Sequence, residues 1–179
     1  MTIDALAIWQ SEWALLPKVS DDSWKTNMAS YIAARLDGKL SLSGYLPPTG
    51  VSFIFNTAVF ISSLSGVTSG TGDGVSKIAQ GFKAAAETPG SLIVAPGTAV
   101  GSASPATTFS VVSSSVLSGS AAEAKIAELA SAPLVDSAAD SDFPVKLHAA
   151  ALLLTATVSG LNSVAPTPSP LIDAGRAVV

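Results

Sequence analysis

The sequence predicts a mainly α protein: a small helical domain with an extended, partly β central arm and an extended C-terminal tail. Three observations predict it. Apolar residues recur at helical spacing in six separate windows. A Ser/Gly/Pro-rich stretch with short β-like pieces interrupts them at about 91–118, and the segment "PTPSPL" imposes an extended, polyproline-like path near the end of the sequence. Residues 1–160 are expected to form one domain that includes the arm, and residues 161–179 the tail.

Each element has its own signal. Leu6, Trp9, Trp13 and Leu16 share one face of a first helix, which Pro17 ends. Ser20 or Asp22 can cap a second helix whose stripe is Trp24, Met28, Ile32 and Leu36 with Tyr31 beside it, and Gly38 supplies a stop. The two are expected to pair as a hairpin. After the loop "LSLSGYLPPTG", the run "VSFIFNTAVFISSL" (Val51 to Leu64) reads as a helix, because it outlasts a usual strand and shows no sustained alternation. Asp73 can cap a helix carrying Val75, Ile78, Ala79, Phe82 and Ala86, which "TPG" at Thr88 to Gly90 closes.

Beyond the arm, Ser120 and Glu123 fit a capping box before Ala122, Ile126 and Leu129. The last helix is expected to start at Ser141 or Asp142 with Pro144 in its first turn, to run through "AAALLLTATV" and to stop at Gly160. That helix is apolar nearly all round, which predicts a central place in the core.

Composition narrows the class of protein. Only 12% of the 179 residues are charged, where about 25% is ordinary. Mean hydropathy is +0.50. No Asp, Glu, Lys or Arg lies between Lys39 and Asp73, between Glu87 and Glu123, or between Lys146 and Asp173, where His148 is the one further titratable residue. A net charge of −4 offers no footprint for a nucleic-acid backbone. With no cysteine there is neither a disulfide framework nor a thiolate metal site. The uncharged runs fall short of the roughly 20 apolar residues a membrane span needs, although a small membrane-associated or pore-forming protein is the alternative they suggest. Asp4, Gln10 and Glu12 break the pattern of a secretory signal, so no signal peptide and synthesis in the host cytoplasm are expected.

Chemistry-bearing motifs are sparse. His148 stands alone on an apolar run with no acid or nucleophile beside it in sequence. Asp136, Asp140 and Asp142 lack the alternation, central glycine and closing glutamate of a calcium loop. "GTGDG" at Gly70 to Gly74 lacks the Lys-Ser/Thr ending of a phosphate loop, and no Gly-x-Ser-x-Gly elbow occurs. The expectation is a protein without catalytic residues, cofactor or metal. Trp9, Trp13, Phe53 and Phe60, as large rings on helix faces, and Pro166, Pro168, Pro170 and Leu171, in the tail, are the residues expected to meet neighbouring subunits.

The short Ala-rich helices "GVSKIAQGFKAAAE" and "SDFPVKLHAAALLLTATVSG", the absence of cysteine, the low charge and the "PTPSPL" tail resemble small structural subunits of tailed bacteriophage virions. The likeness runs over most of the chain, in style and not in a motif, so no residue role is carried over. It implies a virion protein of the tail, baseplate or neck, partnered by other subunits of a homo- or hetero-oligomeric assembly, with an extended arm that lies across a neighbour.

Overall fold

The computed structural model describes residues 3–17, 21–43, 45–46, 51–67, 73–95, 98–101, 104–131, 137–162 and 169–177. Within them six α-helices and a short 3-10 helix outweigh seven strands, so the chain is mainly helical, with two antiparallel sheets.

Helix α1 (Leu6–Ala14) buries Trp9 completely, while Leu6, Trp13 and Leu16 pack against the core from its edge. Helix α2 (Ser23–Leu36) buries Met28, Tyr31, Ile32 and Leu36. Asp22 stands at the N-cap, as expected, but its side chain makes no capping hydrogen bond. Ser20 lies outside the described residues, and the Asp21 carboxylate accepts from Ser23 N–H at 2.9 Å. Gly38 ends this stretch in the left-handed region (φ 67°), as the sequence predicts. The expected α1/α2 hairpin is replaced by another arrangement. α1 packs chiefly on the last helix, and it meets α2 through the rings of Trp9 and Trp13 set edge-on to Tyr31.

Strand β1 is Tyr45–Leu46. The run Val51 to Leu64 is not one helix. It divides into strand β2 (Val51–Phe53), a turn, and helix α3 (Thr57–Ser63). Asn56 causes the division, because its side-chain oxygen accepts from Val59 N–H at 3.1 Å and so starts a helix inside the apolar run. Upstream, the end of α2 holds the strand in place: the Asp37 carboxylate accepts from Phe55 N–H at 2.6 Å, and Gly38 N–H donates to the Phe53 carbonyl at 3.0 Å.

Helix α4 (Gly74–Ala86) carries the expected stripe, with Val75, Ile78, Ala79, Phe82 and Ala86 all buried. It ends at the Thr88–Gly90 turn, where Gly90 has φ 82°. Strand β3 (Leu92–Val94) then pairs antiparallel with β2, setting Phe53 opposite Leu92.

The segment expected to be a partly β arm continues into β4 (Thr98–Gly101) and the fifteen-residue β5 (Ser104–Ser118). Helix α5 (Ser120–Ala127) follows, extended by a 3-10 turn at Glu128–Ser131. The capping box does not form. Gly119 is the N-cap, Ser120 is already helical, and Glu123 pairs with Lys83 at 3.2 Å. Helix α6 (Ser137–Ala151) begins before the expected caps and accommodates Pro144 in its interior.

α6 also stops short of Gly160. The chain turns over Leu152 to Leu154 into strand β6 (Thr155–Asn162), where buried Ala156 and Val158 alternate with half-exposed Thr155, Thr157 and Ser159. The period of two marks a strand with one face on the core. Within the expected tail, Ser169–Ala177 forms β7 and pairs antiparallel with β6.

The larger sheet has the order β1-β4-β5-β6-β7, with every pairing antiparallel. β5 and β6 are joined across two helices, with Leu117 opposite Ala156 and both side chains buried. One contiguous core links these strands to residues of all six helices.

Candidate functional site

The residues expected to face neighbours divide into four groups. Trp9, Phe53 and Phe60 are each 0% exposed, so these rings are used inside the chain and have no surface to offer a partner. Their large apolar area is the physical reason, since burying such rings is among the strongest contributions a small core can make. Phe60 and Phe82 both pack on Phe55 with ring centroids 5.7 Å apart. Trp13 is half-buried, stacked on Phe143 at 5.0 Å with an interplanar angle of 13°. Pro166 and Pro168 lie outside the described residues. Pro170 and Leu171 belong to β7, where they pair with Leu161 and Gly160 of β6.

His148 packs edge-on against Trp9 at 5.8 Å. Burial lowers its pKa below the ordinary 6.5, against the opposing pull of a hydrogen bond to the Asp4 backbone carbonyl. The Asp4 carboxylate is held by Arg35 at 3.3 Å and by Lys39, and the Tyr31 hydroxyl donates to the Trp9 carbonyl at 2.6 Å. Burial pushes the Tyr31 pKa up, with Arg35 opposing the shift. These groups fasten α1 to α2 and α6. Among the described residues no group of three or more His, Cys, Asp or Glu is placed to hold a metal ion, and no helix is long and apolar enough to cross a membrane.

Among the described residues, the large apolar side chains left exposed are aliphatic. Leu15, Ile54, Ile93, Val116 and Ile172 are each more than half exposed. Sequence reasoning missed them because they are single aliphatic residues in loops and strands, without the periodicity that marks a face. Ile93 alternates with buried Leu92 and Val94 along β3, and Val116 lies next to buried Leu117 on β5, so both stand on the side of a strand turned from the core.

Two hollows adjoin this surface and share the Thr88–Gly90 turn as a common wall. One, of about 330 Å³, is lined by Glu87, Pro89, Leu92, Val116 and Leu117 among others. The other, of about 390 Å³ and more open, is lined by Ile54, Asn56 and Ala58 with the same turn. Glu87 is half-buried, and one of its carboxylate oxygens accepts from Gly119 N–H at 2.8 Å. No family model, curated protein or solved structure matches the chain.

Proposed function

We propose that this protein is a non-enzymatic structural subunit of a large assembly, a tail, baseplate or neck component of a tailed bacteriophage virion, which acts by packing against other subunits. The observation that carries the reading is the character of the surface. Strands β5 and β6 contain no ionisable residue over their whole length, yet Val116 on β5 is 56% exposed, and Ile172 on neighbouring β7 is 74% exposed. An antiparallel sheet face in contact with water is ordinarily polar, and protected by charge at its edges. A face whose strands β5 and β6 carry no charge, and where Val116 and Ile172 stand exposed beside Thr155, Thr157 and Ser159, is suited to cover by protein.

The resemblance in composition to small virion subunits supplies the kind of assembly. Leu15, Ile54, Ile93 and Val116 replace the fully buried rings as the contact residues, and β7 with its flanking prolines remains the part of the chain offered to a neighbour. Mass spectrometry of density-purified virions from the source of the sequence tests the reading. The chain is expected at a stoichiometry comparable to that of other minor structural subunits. Its absence from particles, while present in the producing cells, overturns the assignment.

A further inference from the structure

The smaller hollow has a feature that the general adhesiveness of the surface does not require. Its walls are aliphatic, formed by Leu92, Val116, Leu117 and Pro89, and the single ionisable side chain lining it is Glu87. Lys83, one turn earlier on α4, would be the natural i,i+4 partner of that carboxylate. Lys83 instead pairs with Glu123 at 3.2 Å, and among the described residues no cation pairs with Glu87. Gly119 N–H fixes one carboxylate oxygen at 2.8 Å, which orients the group, and among the described residues no donor is placed on the other oxygen.

We infer that this hollow receives a lysine side chain from an extended segment of a neighbouring subunit, its alkyl stem lying on Val116 and Leu92 and its ammonium on the second oxygen of Glu87. This rests on the assembly reading and names one of its contacts. Charge complementarity selects a cation, since a half-buried carboxylate beside apolar walls gains most from a partner that brings its own charge. The one available oxygen selects lysine over arginine: a guanidinium fork uses both carboxylate oxygens, whereas a compact ammonium needs one. A long aliphatic stem ending in a charge also matches apolar walls with an acid at the rim. The adjoining hollow beyond the Thr88–Gly90 turn, with exposed Ile54 at its side, continues the surface along which the rest of the segment would lie.

The test uses the full chain and two capped tripeptides, valyl-lysyl-valine and its norleucine counterpart, with the methyl resonances of Leu92, Val116 and Leu117 as the readout. The lysine peptide is expected to shift these methyls saturably, and to bind roughly tenfold more tightly than the norleucine peptide. In Glu87→Gln, which keeps a side-chain oxygen for Gly119 N–H, the two peptides should bind alike. Equal binding of the two peptides to the unaltered protein overturns the inference, as does an unmoved set of methyls or an unchanged lysine preference in Glu87→Gln. The peptide titration reads this hollow alone, and virion mass spectrometry reads the presence of the unaltered chain, so the two readings fail separately.

Discussion

His148 shows how a single side chain ties stability to pH. Its ring lies against Trp9 and donates to the Asp4 carbonyl, and burial disfavours its charged form. In the unfolded chain it regains the ordinary value near 6.5, so between that value and its lower native value the unfolded state holds more protons. Stability is therefore fully present above the unfolded value and is lost as pH falls through the native one. The expected outcome is a urea midpoint that drops between about pH 7.5 and about pH 5.5, with a smaller drop in His148→Asn. An equal drop in both proteins would mean that another group is responsible. Glu128 does not confuse the measurement: Lys146 and, next, Lys125 lower its pKa from an ordinary 4.5, so its contribution disappears at more acid pH.

At the scale of elements, α4 lies tight against α3 at Gly81. A methyl group there would lie 3.1 Å from Ser63 Cβ, 3.3 Å from the Phe60 ring and 3.4 Å from the Phe60 carbonyl oxygen. In an exposed helix the change to alanine would stabilise by about 1 kcal/mol, whereas overpacking a tight contact costs about 1–3 kcal/mol. Gly81→Ala is therefore expected to lose about 1 kcal/mol net in urea unfolding, and a gain would show that α3 can shift outward at little cost. Legibility also varied by element, for physical reasons. The α4 stripe and the stops at Gly38 and Gly90 could be read because a 3.6-residue period and a left-handed backbone leave local marks. The division of Val51 to Leu64 could not, because it depends on Asn56 acting as a cap and on β3 waiting forty residues downstream to pair with β2. The end of α6 was hidden in another way. Alanine and leucine continue past Ala151, and the alternation of Leu154, Ala156 and Val158 with threonine and serine has little hydrophobic contrast. The candidate site was the least legible part, since Glu87, Leu92 and Val116 come together only through tertiary packing.

At the scale of the molecule, the C-terminal stretch is part of the sheet. β7 pairs with β6 from Asn162 opposite Ser169 to Thr155 opposite Ala177. Removing everything after Asn162 would bare the hydrogen-bonding edge of β6, a strand without a single charge to discourage pairing with another chain. The expected product is destabilised and aggregates in size-exclusion chromatography, whereas a soluble truncated monomer with unchanged thermal stability would show that β7 is dispensable. Ser43 N–H, which donates to the Ala177 carbonyl at 3.0 Å, joins an early loop to the final described strand. A nascent chain leaving the ribosome thus cannot satisfy this early donor until more than a hundred further residues have emerged, and β6 keeps an open edge until β7 follows it. Translation delivers β7 after every other strand of this sheet, and for that interval the uncharged edge of β6 stands open to other chains.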